Sequence, residues 1–276
     1  MRLSDSGPAR RAEERKFMKN REFYITDDGI RLHAKLDFPK ELEGVEDENS
    51  EQAKCPLVII IHGYTGHMEE PHIIAAAETA NEVGMAALRV EMYGHGMSDG
   101  AFRDHTLFKW MTEAMTVTDY ARTLPFVTDL YLCGHSQGGL LTILAAGLKP
   151  DVFKAILPLA PATMIPEGAR AGELLGISFD PDHIPDELPA DEERTLGGNY
   201  IAAAQSIFPE HFIRRYHGPV LIVHADTDES VPYRCALEAL ELYDDAKLVT
   251  VKGDNHCFEL HLDQMAAAIR EFLSGF

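Results

Sequence analysis

The sequence predicts an α/β fold built on a doubly wound, mostly parallel sheet, with one long insertion between two late strands. Short apolar runs of strand-like composition alternate along the chain with longer helix-like segments. Several of these runs are apolar throughout, as in residues 57–61, which is typical of strands covered on both faces. Alternating strands and helices favour parallel pairing, because each helix carries the chain back to the starting edge of the sheet.

The amino-terminal region precedes this alternation. Residues 1–20 alternate charges and predict a flexible tail, and residues 23–26 and 30–36 predict a β-hairpin joined through Asp27-Asp28-Gly29. An acidic linker, residues 41–51, leads into the sheet. The remaining predicted strands are residues 56–61, 85–90, 129–133, 153–159, 220–224 and 247–251. The predicted helices are residues 71–83, 107–124, 140–146 and 262–273.

Residues 162–214 break the alternation. This stretch holds no strand-like run and carries prolines among aromatic residues, namely Pro166, Pro181, Pro185, Pro189 and Pro209. Because so long an irregular segment within a compact domain is usually functional, we expect a lid over the active face. The alternative is a surface excursion without substrate contact. The expected domains are the tail at 1–20, an α/β core at 21–161 and 215–276, and the inserted lid at 162–214.

Composition and charge exclude several classes of protein. Hydrophobic residues make up 45% of the chain and charged residues 25%, as in a soluble globular protein. The net charge of −20 disfavours nucleic acid and anionic membranes as partners. No apolar run approaches the length of a membrane span, and residues 1–20 show no secretory signal. The 4 scattered cysteines suggest buried thiols, so we expect a cytoplasmic protein.

A Gly-x-Ser-x-Gly motif at residues 134–138 is the most informative local feature. A short apolar strand precedes it and a helix-like run follows, so Ser136 is predicted at a sharp strand-to-helix bend. The crowding at such a bend requires small neighbours, which Gly134, Gly138 and Gly139 supply. The bend exposes the hydroxyl above the sheet, where a histidine and a substrate carbonyl can reach it. Ser136 is therefore the candidate nucleophile.

A serine hydroxyl needs a base, and the base needs an acid that fixes its tautomer. His256 is the candidate base, because it lies in the loop after the last predicted strand and before the terminal helix. The acid has four candidates in the neighbouring loops: Asp226, Asp228, Glu229 and Asp254. Asp228 is favoured, because it lies four residues before Pro232, deep enough in its loop to turn toward His256, whereas Asp226 is more typical of an aspartate that bonds its own turn.

The oxyanion of the reaction needs two backbone N–H donors. Gln137 follows the candidate nucleophile at a helix amino terminus, and Tyr64 lies in the loop His62-Gly63-Tyr64-Thr65-Gly66-His67 after a central strand. We expect these two residues to form the oxyanion hole. The intervals between His62, His67 and His72 match no recognised zinc spacing, so we expect no metal. The loop at residues 94–100 lacks Gly-x-Gly-x-x-Gly and predicts no dinucleotide or other cofactor.

The order of these motifs resembles the α/β-hydrolase superfamily over nearly the whole chain after the tail. The chain is most similar to bacterial cinnamoyl (feruloyl) esterases in residues 62–66, 180–186 and 195–200. The resemblance implies a triad of Ser136, Asp228 and His256 and an oxyanion hole of Tyr64 and Gln137. It also implies that Tyr200 lies near the phenolic end of the acyl group. We further expect two more residues to contact substrate, Leu175 and His135.

The predicted function is a serine carboxylesterase that hydrolyses small esters, hydroxycinnamoyl esters among them, through an acyl-enzyme. Positions where such esterases can place polar groups toward the phenol hold Gly168 and Leu175 here, which favours less hydroxylated acyl groups. The alternatives are an acylglycerol lipase or a thioesterase of the same fold, or a non-catalytic binding protein. We expect a small-molecule ester as partner, and a homodimer is left open.

Overall fold

The computed structural model describes residues 20–174 and 176–276. Nearly all of the predicted tail, and Leu175, lie outside the described residues. The sheet strands are β1 (Arg21–Asp27), β2 (Ile30–Asp37), β3 (Cys55–Ile61), β4 (Ala86–Val90), β5 (Val127–His135), β6 (Phe153–Leu159), β11 (Val220–Ala225) and β12 (Ala246–Val251). The shorter strands, numbered between them, are β7 (Glu173–Leu174), β8 (Ile177–Ser178), β9 (Glu187–Pro189) and β10 (Thr195–Gly197).

The helices lie between these strands. They are α1 (Pro71–Glu82), α2 (Leu107–Thr123), α3 (Gln137–Leu148), α4 (Met164–Ala171), α5 (Gly198–Gln205), α6 (Pro209–Ile213), α7 (Arg234–Leu242) and α8 (Leu262–Leu273). Short 3-10 helices occupy Lys40–Leu42, Glu51–Ala53 and Phe102–Asp104. The first two lie at the ends of the predicted acidic linker.

The central sheet has 8 strands in the order β1-β2-β4-β3-β5-β6-β11-β12. The hairpin β1–β2 and the pair β2–β4 are antiparallel, whereas the five pairs from β4 to β12 are parallel. A crossover helix is needed between parallel neighbours, and the helix-rich connections supply it. The prediction of a doubly wound, mostly parallel sheet is confirmed.

Both faces of the sheet are covered, as β3 illustrates. Its residues Leu57, Ile59 and Ile61 pack into one hydrophobic core together with helices α2, α3 and α7. The alternate residues Val58 and Ile60 pack into a second core together with α1 and α8. Successive side chains of a strand point to opposite faces, so a run that is apolar throughout fits a strand between two layers.

The segment 162–214, called the inserted segment below, differs from the expectation. No strand was predicted in it, yet it contains the hairpins β7–β8 and β9–β10 and the helices α4, α5 and α6. These strands are 2 or 3 residues long, too short for a hydrophobic period to form. Its apolar residues pack against Tyr64 and against α3 in a third core, so it covers the region around the motif.

Among the described residues, no helix is both long enough and apolar enough to cross a membrane.

Candidate active site

Ser136 occupies a strained bend between β5 and α3. Its backbone has φ +57° and ψ −117°, outside the regions that a residue with a side chain prefers. Such strain persists only where the surroundings hold it, and it clusters at functional sites. Here the Ser136 N–H donates to the Leu159 carbonyl at 2.9 Å, and its carbonyl accepts from Leu140 N at 3.0 Å and Ala162 N at 3.1 Å. The neighbouring strand, α3 and the inserted segment together fix the bend.

The glycines of the motif permit close backbone contacts around Ser136. A Cβ at Gly134 would lie 2.2 Å from the Gly138 carbonyl oxygen. A Cβ at Gly138 would lie 2.4 Å from the Ile61 carbonyl oxygen and 2.5 Å from that of His62. Any side chain at Gly138 would therefore separate the bend from the end of β3, where the predicted oxyanion loop begins.

Asp228 and His256 form a direct pair. The His256 Nδ1 lies 2.7 Å from Asp228 Oδ2, and the wholly buried carboxylate also accepts the N–H groups of Ser230 and Val231 at 2.8 Å each. Burial by itself would raise the pKa of Asp228, but hydrogen bonds from His224 and His256 outweigh it and hold that pKa well below the usual range. The carboxylate is therefore ionised at neutral pH and fixes the His256 tautomer with its proton on Nδ1.

The other candidate acids have different partners in the structure. Asp226 accepts the Gly253 N–H at 2.6 Å, and Asp254 accepts backbone N–H groups of its own loop. Glu229 accepts the backbone N–H of His256 at 3.3 Å. Of the four carboxylates, Asp228 is the one bonded to the imidazole of His256. Asp226 and Glu229 accept backbone N–H groups of the loop that carries His256.

His135 links the bend to the loop of His256. Its Nε2 donates to the His256 carbonyl at 2.9 Å, and the two rings lie 4.5 Å apart. This contact brings Ser136, the next residue in the chain, beside the loop that carries the candidate base. His135 is 2% exposed, and on its other side it packs against His72 at 4.1 Å. Its position in the structure is that of a buried connector, and the predicted substrate contact stays a prediction.

The peptide groups of the predicted oxyanion donors are fixed through their own carbonyls. Since a peptide is planar, a bond to the Gly63 carbonyl also orients the N–H of Tyr64. His62 Nδ1 makes that bond at 2.7 Å, while its Nε2 accepts the Met92 N–H at 3.0 Å. The same reasoning applies to Gln137, because the carbonyl of Ser136 accepts two N–H groups. Within the described residues, neither donor N–H has a hydrogen-bond acceptor.

Sequence reasoning missed the supporting histidines. His224 Nε2 lies 3.0 Å from the Val231 carbonyl and 3.2 Å from Asp228 Oδ2, the same carboxylate oxygen that His256 contacts. His95 Nε2 lies 2.6 Å from the Tyr64 carbonyl. The sequence signal for these two residues is weak. A histidine at the end of a strand, such as His224, or between two glycines, such as His95, is often a structural residue.

Tyr200 lies away from any open surface. It is 0% exposed, and its hydroxyl donates to Gln137 Oε1 at 2.5 Å. Its ring packs against Tyr64 at 5.8 Å and against His105 at 5.2 Å. The resemblance implies a contact with substrate for this residue, and the hydrogen bond that the structure contains is to Gln137.

A cavity of about 630 Å³ lies between the inserted segment and the loop that follows Asp228. Its lining includes apolar residues of α4 and β7 and the charged residues Glu167, Glu173, Glu229 and Arg234. Gly168 also lines it, and a Cβ there would lie 2.5 Å from the Glu173 carbonyl oxygen. The wall of the cavity therefore leaves no room for a polar side chain at Gly168.

Buried histidines around the site predict a protein that is labile to acid. Burial lowers the pKa of His72 to about 4 and that of His105 to about 3, and it also lowers the pKa values of His62, His95 and His135. These folded-state pKa values lie below the unfolded value, so the unfolded chain binds more protons as the pH falls. Stability should be full above about pH 6.5 and decline towards about pH 4, with His72 alone accounting for roughly 3 kcal/mol.

Urea unfolding at several pH values measures this decline. A His72→Leu variant is the internal comparison, since its stability should fall less steeply with acidification. A free energy of unfolding that is constant from about pH 7 to about pH 4.5 would contradict the buried neutral state of these rings.

Two family models match the chain. The serine aminopeptidase, S33 family matches residues 52–179, and the TAP-like protein family matches residues 206–275. Among curated proteins, the palmitoyl-protein thioesterase ABHD10, mitochondrial, of Rattus norvegicus is 25% identical over 219 residues, which are 74% of this chain and 70% of that protein.

Two solved structures are also similar. Est1E from Butyrivibrio proteoclasticus, with ferulic acid bound, is 55% identical with a TM-score of 0.86, covering 91% of this chain and 97% of that chain. The alpha/beta hydrolase domain-containing protein 10 from mouse has a TM-score of 0.72 at 19% identity, covering 92% of this chain and 99% of that chain, and shares the fold.

Proposed function

Since the chain belongs to the α/β-hydrolase superfamily, as a serine esterase related to bacterial feruloyl esterases, we propose that Ser136, His256 and Asp228 are its catalytic triad. The observation that carries the assignment is the bond of 2.7 Å between Asp228 Oδ2 and His256 Nδ1, on a loop joined by His135 to the strained bend. In the neutral imidazole this bond keeps the proton on Nδ1, so Nε2 is the nitrogen that can act as the base for a serine nucleophile.

The reaction then proceeds in two halves. Ser136 Oγ attacks the ester carbonyl while His256 Nε2 accepts its proton, and Asp228 stabilises the resulting imidazolium. His256 next protonates the departing alcohol, which leaves an acyl-enzyme. Water, activated by the same nitrogen, attacks the acyl carbonyl and releases the carboxylic acid and free Ser136. The N–H groups of Tyr64 and Gln137 stabilise the oxyanion of each tetrahedral intermediate.

For the substrate we propose small esters with aromatic acyl groups of the cinnamoyl type. Est1E, at 55% identity, has ferulic acid bound in its solved structure, which supports a related acyl group here. The cavity beside the catalytic loop is large enough for one half of such an ester. Gly168 lies in its wall at a position where related esterases can place a polar group toward the phenol, and it supplies none. Selectivity for a hydroxylated ring depends on buried hydrogen bonds, so we expect little preference for ferulate over cinnamate.

A thioesterase is the second candidate, because the curated relative at 25% identity is a palmitoyl-protein thioesterase. Esters are favoured, since the identity to Est1E is more than twice as high and extends over more of the chain. For location we propose the cytoplasm. Cys55, Cys133, Cys235 and Cys257 are free thiols, the first three of them buried, which suits a reducing compartment.

A hydrolysis panel tests the proposed substrate class. We expect kcat/KM for methyl cinnamate and methyl ferulate to agree within about threefold, and both to exceed that for a palmitoyl thioester by about tenfold or more. The panel is read by chromatography of the released acid, with heat-denatured enzyme as the blank. Faster cleavage of the thioester would favour the thioesterase, and a hundredfold preference for ferulate, about 3 kcal/mol, would contradict the argument from Gly168.

A further inference from the structure

Tyr200 is the point at which the inserted segment reaches the oxyanion hole. It lies on α5, is 0% exposed, and donates its hydroxyl proton to Gln137 Oε1 at 2.5 Å. Burial raises the pKa of Tyr200 well above its usual value, so the hydroxyl keeps its proton and acts as a donor throughout the working pH range. Gln137 is also 0% exposed, and its Nε2 has no partner among the described residues. Among them, Tyr200 is the single hydrogen-bond partner of that side chain.

The same segment contacts the second donor. The ring of Tyr64 packs edge-on against the ring of Tyr200, with 5.8 Å between centroids. Arg194, four residues before α5, donates from a guanidinium nitrogen to the carbonyl of Thr65 at 3.2 Å and lies over the ring of Phe102 at 4.8 Å. The inserted segment therefore contacts both residues of the proposed oxyanion hole, Gln137 and Tyr64.

We propose that Tyr200 is a positioning residue that holds Gln137, and with it the oxyanion hole, in the geometry needed for catalysis. The proposal rests on the proposed function. The hydroxyl of Tyr200 already donates in a buried contact, so this residue has a hydrogen-bond partner in the absence of substrate. Removal of the Tyr200 hydroxyl leaves the buried side-chain oxygen Oε1 of Gln137 without a donor. An unpaired buried acceptor costs free energy, and the Gln137 side chain can relieve that cost only by moving. Gln137 is the first residue of α3, so that movement disturbs the N–H that faces the oxyanion.

Tyr200→Phe removes only the hydroxyl and separates this role from a contact with the phenol of a substrate. A positioning role predicts that kcat falls about tenfold on methyl ferulate and methyl cinnamate alike, with KM unchanged, because the oxyanion is common to both esters. Inhibition by phenylboronic acid, whose tetrahedral adduct places an oxygen in the oxyanion hole, should weaken by a similar factor. A contact with the phenol instead predicts a higher KM for methyl ferulate alone.

Tyr216→Phe is the matched control, because Tyr216 is also a buried tyrosine whose hydroxyl is a hydrogen-bond donor. Its acceptor is the backbone carbonyl of Phe153, at 3.1 Å. This variant should keep the kinetics of the unaltered enzyme. Turnover of methyl cinnamate by the unaltered enzyme is measured first, and failure there counts against the proposed function rather than against Tyr200.

A double-mutant cycle with Gln137→Met completes the test. If Tyr200 acts through Gln137, the double variant should lose no more activity than the more damaging single variant. Additive losses in the cycle would overturn the proposal, as would a Tyr200→Phe enzyme indistinguishable from Tyr216→Phe in kcat and boronate inhibition. Should Tyr200→Phe fail to fold, Gln137→Met alone must lower kcat on both esters without changing KM, and an unchanged kcat would overturn the proposal.

Discussion

Replacement of Ser136 by alanine is expected to lower kcat on p-nitrophenyl acetate by about 10⁴-fold or more while the fold survives. The loss is large because the proposed mechanism loses the hydroxyl that forms the acyl-enzyme, and the oxyanion hole alone gives only residual catalysis. The substitution removes one oxygen at a site that is 8% exposed. We therefore expect the far-UV circular dichroism spectrum and the midpoint of thermal unfolding to remain close to those of the unaltered enzyme.

The control for this experiment is Ser274→Ala, which removes a hydroxyl that bonds the carbonyl of Arg270 at the end of α8. Its turnover should match that of the unaltered enzyme. If the Ser136→Ala enzyme retained more than about one per cent of the turnover, another nucleophile would have to be sought.

Substitution of Asp228 by asparagine should lower kcat by about 10⁴-fold, since an amide in place of the carboxylate favours the wrong tautomer of His256 and stabilises no imidazolium. Asp226→Asn is the matched comparison, with the same change two residues away. Asp226 accepts a backbone N–H from Gly253, and an asparagine oxygen can accept the same bond. We expect a loss of less than about tenfold for that variant.

Both enzymes are assayed with p-nitrophenyl acetate, with circular dichroism to confirm folding. A severe loss in Asp226→Asn together with a mild loss in Asp228→Asn would reassign the acid. Equal and severe losses in two well-folded variants would indicate that the loop geometry, rather than the charge on Asp228, determines the rate.

The sequence predicted the sheet well because its strands carry a physical signature. A strand covered on both faces must be apolar at nearly every position, as residues 57–61 are, and such runs stand out against amphipathic helices. The bend at Ser136 could likewise be predicted from the sequence, from its Gly-x-Ser-x-Gly motif. The close approach of Gly138 to the Ile61 carbonyl shows why the motif requires glycine.

The inserted segment could not be predicted in the same way. Its strands are 2 or 3 residues long and are stabilised by packing on Tyr64 and α3, contacts between residues far apart in the sequence. Propensity is a weak guide where tertiary contacts decide the conformation. For the same reason the residues alone offered four candidate carboxylates and only favoured Asp228 among them, because the fold determines which one meets His256.

The contact between Tyr200 and Gln137 also depends on tertiary packing, as the inserted segment does. From the sequence, a tyrosine in a lid is readily placed toward the substrate. In the structure its hydroxyl reaches Gln137, a residue 63 positions away in the chain. A side-chain contact over that distance has no local signal, so it could be found only in the folded molecule.

The central claim is that the hydroxyl of Ser136 is made nucleophilic by His256. The most direct measurement is mass spectrometry of the enzyme after reaction with a fluorophosphonate, followed by mapping of the labelled peptide. We predict one adduct per chain, on Ser136, that is absent from Ser136→Ala and forms far more slowly in His256→Gln. An adduct on another residue, or labelling at an unchanged rate in His256→Gln, would contradict the claim.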